Sequence, residues 1–333
     1  MATVGTTYLN LADVYSRQDP ETKRVAAIIE LLSETNPILS DAMAVECNNG
    51  TKHLTTVRNG LPSVTWRRLY QGVTPSKSTT TQVEDSTGML EAWSEVDAKL
   101  VDISGDPAGT RESEAVAFLE SMNNEMATGM FYHNTESDPE KFMGLAPRFD
   151  SLSATNGNQI IDAGGTGSDN CSIWFVVWGE RTCHLLYPKG STGGFARTDK
   201  GKETKDDSGA LYDVYREKFT WDIGLSVRDW RYVSRVCNID VSNLTVDASS
   251  SSANIPQQMI KAYYKLHQRK VTGGRAAIYC NSTVKEYLHH HAMNANSNTQ
   301  IRLQEYDGEE VLSFLGMPIR EVDALTNAEA RVT

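Results

Sequence analysis

Apolar positions along the chain recur with two different periods, and the places where the period changes mark out the elements. Val25, Ile28, Ile29 and Leu32 fall at helical spacing behind Asp19-Pro20-Glu21, which supplies a capping acid, a first-turn proline and an early negative charge. A helix is predicted there, ending before Asn36-Pro37. From Gly50 to about Glu91 the chain turns to Thr, Val, Ser and Gly, with short alternating runs at 54–57, 64–69 and 79–83, and this predicts an extended, hairpin-like arm. Ala115, Phe118, Leu119, Met122 and Met126 then share one helical face behind Thr110 as a cap. A helix over 111–130 is about 30 Å long at about 1.5 Å per residue, enough to cross a domain.

Beyond Pro147 a Ser-, Asn- and Gly-rich loop gives way to aromatic and β-branched runs at 173–178, 182–187 and 219–236, which predict strands. The polar stretch 189–209, with Gly190, Gly193, Gly194 and charges of alternating sign, reads as a long exposed loop. A Ser-rich link at 248–253 precedes a helix starting near Pro256, with Ile260, Tyr263 and His267 on one side. A short strand at 276–280 leads to another helix capped by Asn281 or Ser282, with Val284, Tyr287 and Leu288 inward. Strand-like text returns at 301–303 and 311–322. No repeat appears at spacings of about 20 to 50 residues.

Composition narrows the class. A chain of 333 residues suggests about two domains or one large irregular one. Its 32 basic and 43 acidic side chains give a formal charge of −11, which argues against a nucleic-acid-coating protein or a polybasic membrane binder. No apolar run approaches the roughly 18 residues needed to span a bilayer, and residues 1–16 lack the basic start and apolar stretch of a secretion signal. Five scattered cysteines, an odd number, suit free thiols in a reducing compartment.

Charge is unevenly placed. Residues 47–83 hold no Asp or Glu, while Lys52, Arg58, Arg67, Arg68 and Lys77 give +5 and the remaining chain carries −16. A basic, extended, poorly hydrophobic arm on an acidic body finds its natural partner in an acidic surface. The predicted long helix offers one in Glu112, Glu114, Glu120 and Glu125, against Arg111 alone. The alternative is a solvated charged hairpin.

Motifs for chemistry are weak. Gly164-Gly165-Thr166-Gly167-Ser168 lacks the lysine of a phosphate loop, and Asn170 stands where a dinucleotide fingerprint needs its last glycine, so a mobile turn is the plain reading. Ser168-Asp169-Asn170 and Ser282-x-x-Lys285 match two serine β-lactamase elements in reversed order, with no Lys-Thr-Gly anywhere. Cys183 and His184 are adjacent on a strand and face opposite ways, which predicts a buried thiol and an exposed histidine. His289, His290 and His291 cannot converge on one ion from successive helical positions, and no zinc spacing occurs. No catalytic residue, cofactor site or metal site is predicted.

The order of parts resembles the major capsid protein of tailed bacteriophages, the Hong Kong 97-type α+β fold. The resemblance rests on Leu312-Ser313-Phe314-Leu315-Gly316-Met317-Pro318-Ile319-Arg320-Glu321-Val322-Asp323-Ala324 as a closing segment, and on the strand, Asn and helix start of 276–284. A closer resemblance, to coat proteins of short-tailed phages, is carried by 58–68 (RNGLPSVTWRR), 142–148 (FMGLAPR) and 227–232 (VRDWRY). It implies an N-terminal arm at 1–49, an extended loop (E-loop) at 50–95 and a peripheral domain at 96–160 with a spine helix at 110–130. An axial-type domain at 161–295 and a C-terminal return to the core sheet at 296–333 follow.

The implied role is structural. Copies form hexamers and pentamers of an icosahedral virion head assembled in the host cytoplasm, which encloses double-stranded DNA without sequence-specific binding and touches no membrane. No long helical extension precedes Asp19, so a separate scaffolding protein is implied, with a portal and a decoration or cement protein as further partners. The resemblance carries no catalytic residues and no cofactor; some members crosslink Lys to Asn, and Lys52 or Lys77 fits that by position alone. A cellular encapsulin-type nanocompartment shell and a β-rich hydrolase stand as alternatives. Gly316 and Pro318 are the expected fold-closing residues, with Gly316 in a turn and Pro318 leading into an edge strand.

Overall fold

A computed structural model of the chain describes residues 36–191, 193–207, 209–245, 254–269, 271–293, 301–306 and 309–333. The helix predicted behind Asp19 and the Ser-rich link at 248–253 lie outside them. A short helix α1 (Ile38–Asp41) and strand β1 (Ala44–Glu46) lead into β2 (Lys52–Gly60) and the long β3 (Thr79–Asp97). Helices α2 (Ala98–Ile103) and α3 (Pro107–Tyr132) follow, then β4 (Ile160–Asp162), β5 (Asn170–Trp178), β6 (Cys183–Tyr187), β7 (Phe195–Asp207), β8 (Ala210–Val227) and β9 (Val233–Asp240). The chain closes with α4 (Ile255–Lys265), β10 (Arg275–Cys280), α5 (Ser282–Met293), β11 (Ile301–Tyr306), β12 (Glu309–Phe314) and β13 (Met317–Glu321).

Strand β5 organises the body because it is apolar at nearly every position and buried at all of them. Both of its faces are therefore covered. Trp174, Val176 and Trp178 point into one core with Met126, Met130 and Phe131 of α3, Phe149 and Tyr279. Ile173, Phe175 and Val177 point into a second core, against Ile255, Met259 and Ala262 of α4 and Val284 and Leu288 of α5. β5 pairs antiparallel with β10 and with β9, and β10 pairs parallel with β13, so the returning C-terminal strands extend the same sheet. A single bridge, Trp178 to Cys183, joins this sheet to β6, β8, β3 and β2.

Several local expectations change in three dimensions. Helix α3 starts earlier than predicted: Asp106 accepts from the Gly109 N–H at 3.1 Å with Pro107 in the first turn, and Thr110 is inside the helix, its hydroxyl bonded to the Asp106 carbonyl at 2.9 Å. The stretch 189–209 is not a loop; most of it is β7, paired along its length with β8. Its charges have cross-strand and cross-layer partners: Arg197 with Glu217 and Glu112, Asp199 with Arg111, Lys202 with Asp213, and Glu203 with Arg216. No apolar stripe marked it because the strand is largely exposed and its side chains pair by charge. Residues 64–69, read as a strand run, form none. His184 is fully buried, since both faces of β6 are covered. His291 is buried too, bonded through Nε2 to the Thr245 carbonyl at 2.8 Å. The expected Asn cap holds at α5, where Asn281 Oδ1 accepts from the Val284 N–H at 2.9 Å.

The closing segment is a tight hairpin. Phe314 pairs with Met317 across Leu315 and Gly316, which have φ of 49° and 82° as a two-residue I′ turn requires. Pro318 is not on an edge: β13 lies between β12 and β10, and the proline is tolerated because pairing with β10 begins only at Ile319. After β13 the tail runs back across the body. Glu329, Arg235, Ser172 and Tyr132 form a buried network in which Arg235 Nη2 reaches Glu329 Oε2 at 2.8 Å and Tyr132 donates to Glu329 Oε1 at 2.6 Å. Arg235 also donates to Ser172 and to the Phe149 carbonyl and stacks over Trp174, so its charge is satisfied on every side. Asn238 closes the end, exchanging two bonds with the Val332 backbone, each 2.9 Å.

Two stability predictions follow from this geometry. A Cβ at Gly316 would meet nothing within 4 Å, so the cost of Gly316→Val is conformational, about 1–3 kcal/mol, and Gly316→Asn should be nearly neutral. Urea unfolding of the soluble subunit checks this; equal losses for Val and Asn would mean that the turn conformation is not the cause. Glu329→Ala strands the Arg235 charge in the core and should cost about 3–5 kcal/mol, whereas replacing both partners with apolar residues should restore much of it. The double-mutant cycle, read by the same unfolding, checks that sign.

Candidate functional site

The site residues expected from the sequence separate into three places. Lys52 and Arg58 lie on β2, with Arg67, Arg68 and Lys77 in the segment that joins β2 to β3. β2 and β3 pair antiparallel from Lys52–Ser86 to Gly60–Thr79, with an irregularity between Arg58 and Gly60. Asn59 and the hydroxyls of Thr79 and Thr81 clasp that end of the ladder, each bond 2.7 Å. Residues 61–77 are all exposed. Ser76 donates to the Ser63 carbonyl at 2.9 Å, and Arg67 Nε donates to the Gln71 carbonyl at 3.0 Å.

The arm is less hydrophilic than its charge suggested. Leu61, Val64, Leu69 and Tyr70 are largely or wholly exposed, and Trp66 stands 99% exposed. A cluster of large apolar side chains with no body beneath it marks an interaction surface. The signal was present in the sequence as Leu61-x-x-Val64-x-Trp66 and Leu69-Tyr70, but the alternation at 64–69 read as a strand and not as an uncovered loop.

Of the basic residues, Lys52 is already paired with Glu84 on the facing strand. Arg58, Arg68 and Lys77 are exposed and form no ion pair among the described residues. The acids of the long helix are mostly engaged within the subunit. Glu112 meets Arg197 at 2.9 Å, and Glu125 meets His133 at 3.1 Å and Lys141 at 3.5 Å. Glu114 and Glu120 are half-buried with contacts of their own. Within one subunit the structure does not bring the arm's cations and these acids together. Gly316 and Pro318 lie elsewhere again, on the β12–β13 hairpin beside Asp41, Arg275 and Arg320.

Below the arm sits a buried polar cluster that sequence reasoning missed. His53 of β2 opposes Asp85 of β3, and His184 of β6 opposes Ser226 of β8. Asp85 takes Arg148 at 2.8 Å and the Ser226 hydroxyl at 2.7 Å. The only sequence signal was polarity inside otherwise apolar strand text.

Reactive chemistry is poorly supported by the environments present. No group of three or more His, Cys, Asp or Glu side chains converges on a metal position among the described residues. The five thiols are free and buried, and burial pushes Cys237 and Cys280 up to about 12, far from thiolate at neutral pH. The glycine loop at 164–168 is pinned, with the Gly165 N–H on the Asn238 carbonyl at 2.8 Å and Asn170 Nδ2 on the Gly167 carbonyl at 2.7 Å.

Comparison with known proteins supplies the family. The sequence family described as major capsid protein GP7 matches residues 19–333. A solved structure of bacteriophage Epsilon15 contains a chain 44% identical to this one, with a TM-score of 0.80 over 100% of this chain and 99% of that one. The bacteriophage JBD30 capsid is 9% identical with a TM-score of 0.51 over 88% of this chain and 92% of its own, which shows a shared fold. An encapsulin from Synechococcus elongatus is more distant, 10% identical with a TM-score of 0.46 over 69% of this chain and 96% of that one. No curated protein sequence matches. The mixed helix-and-sheet architecture is thus that of Hong Kong 97-like phage capsid proteins, and the chain belongs to the major capsid protein GP7 family, a structural subunit of a self-assembling icosahedral phage shell.

Proposed function

We propose that the hairpin β2–β3 and its loop are the arm by which one subunit grips the next in hexamers and pentamers, and that assembly is the whole of this protein's activity, without catalysis. The observation that carries the reading is the loop 61–77, whose Trp66, Leu61, Val64 and Tyr70 lie uncovered beside Arg58, Arg68 and Lys77, cations with no ion pair among the described residues. Apolar anchors rimmed by charge are what a protein interface needs: the anchors supply affinity and the charges supply orientation. Lys52 is held by Glu84 and Lys77 has no acid beside it among the described residues, which supports a non-covalent contact over a Lys–Asn crosslink.

The shell so formed encloses double-stranded DNA. A net charge of −11 supports a wall that does not bind the packaged polymer tightly. A separate scaffolding protein, a portal and a decoration protein are the further partners of this reading.

Two expected outcomes test it. Reversing Arg67 and Arg68 to Glu should leave subunit melting unchanged, since both are solvent-exposed, and reduce shell yield. Exposed pairs contribute about 0.2–1 kcal/mol each, but the contact recurs at every subunit. Trp66→Ala should reduce yield further and without the salt dependence of the charge reversal, because a buried aromatic anchor contributes about 2 kcal/mol or more. Sedimentation of assembly reactions across a salt series measures both, and normal shells from both variants would sink the arm as a contact. Second, assembly and melting should be indifferent to reductant and to chelator, given free buried thiols; a melting shift of several degrees with EDTA would show a structural metal.

A further inference from the structure

The root of the arm is built differently from the rest of the sheet. Strand β2 is a sheet edge, and β3 joins β8 only from Thr87 opposite Gly224 onward. Residues 52–60 and 79–86 therefore form a cantilever whose angle to the body is set where it leaves, at Ser86 and Thr87. The backbone approaches closely there: a Cβ on Gly224 would lie 2.6 Å from the Ser86 carbonyl oxygen.

Around that point His53, Asp85, His184 and Ser226 come from four strands and are each at most 5% exposed. The two imidazoles meet edge to face, their centroids 5.8 Å apart at 82°. Arg228, just beyond β8, donates through Nη2 to His53 Nε2. A guanidinium only donates, so this nitrogen of His53 must carry a lone pair and no proton. Neither ring nitrogen of His184 is satisfied among the described residues; the Gly179 carbonyl and Asp85 favour a proton there, but burial and Arg228 outweigh them.

The other ionisable groups facing the pair relieve it only in part, Asp85 alone favouring a proton on both rings. Asp85 on β3 is committed to Arg148, from the turn at 146–149, and to Ser226. Cys47, before β2, is a buried thiol pushed upward by burial and so stays neutral. Arg228 forms no ion pair among the described residues and adds positive potential.

We propose that His53, His184 and Arg228 form an acid-sensitive latch that holds the arm at one angle at neutral pH and releases it in mild acid. The inference rests on the arm being an intersubunit contact, and it adds the means by which a shell's arms would be freed. Burial, then Arg228, lowers the affinity of both histidines for a proton, with His184 pushed down to about 4. Groups with depressed histidine values stabilise the closed form fully above the ordinary value and lose that contribution as pH falls below it. For His184, moving from about 4 in place to 6.5 when hydrated, linkage gives a roughly thirty-fold gain in opening at pH 5.

Hydrogen-exchange mass spectrometry of assembled shells, corrected for intrinsic rates, tests this between pH 7.5 and pH 5. Peptides over 52–57 and 81–86 should lose protection by about tenfold or more, while β5 and β10 keep theirs. The double variant His53→Gln with His184→Gln should flatten the response. Arg228→Met, which removes the neighbouring cation and so lets the closed form tolerate the proton better, should shrink the loss of protection at pH 5, and this serves as the deciding measurement if the double variant yields no shells. Protection that does not depend on pH in the wild type, an unchanged acid response in the double variant, or an undiminished one in Arg228→Met would each overturn the latch. Failure of the arm reading shows separately, as normal shells at pH 7.5 from the loop variants.

Discussion

Strand β3 belongs to two structures at once, and the geometry of the subunit depends on that sharing. Its 19 residues extend about 60 Å at about 3.3 Å per residue. The first part pairs with β2 in the arm, and the part from Thr87 to Asp97 pairs with β8 in the body. Register is therefore common to both. A slip by one residue would turn Leu90 and Ala92 away from Phe219 and Met122 and carry Glu91, Trp93 and Glu95 into the apolar layer under α3. The body thus enforces where the arm begins and which way its side chains face.

Electrostatics plays two separate parts around this strand. On its outer face Glu91 meets Lys218, Glu95 meets Lys205 and Arg216, and both Lys218 and Arg216 lie over the Trp93 ring. Such surface pairs, the Glu95 ones half-buried, add modest stability singly, but opposite charges set directly across a sheet disfavour other registers. Behind β5 the Arg235–Glu329 pair works differently, because both groups are out of water and removing either leaves the other's charge uncompensated in the core. It ties the tail to the sheet and makes closure of the fold conditional on the last residues of the chain.

The subunit satisfies its own core and leaves its arm unsatisfied. β5 has two covered faces, whereas the loop beyond β2 has none. On the proposed reading another copy covers that loop, which holds the apolar area that drives association apart from the area that drives folding. The polar cluster at the arm's root stands between the two. It has enough partners to fix one geometry, while burial beside Arg228 disfavours an added proton on His184.

Much of this was legible in the sequence, and what was not has a common cause. Periodicity reports which face of a local segment is apolar, so the α3 face, the β5 run, the Asn281 cap and the closing turn at Gly316 all appear in the text of the chain. The charge asymmetry of residues 47–83 likewise singled out the arm. Polar groups whose partners are distant have no such local period. β7 reads as a loop until Arg197 finds Glu112, 85 positions away, and Lys205 finds Glu95, 110 away. Arg235 and Glu329 are 94 apart, and His53 and Arg228 are 175 apart. The sequence by itself determined the elements, the apolar faces and the family likeness, because these rest on neighbours along the chain. Only the tertiary structure decided which polar residues are buried and what satisfies them, because desolvation and charge pairing act through space and leave no repeat in the text.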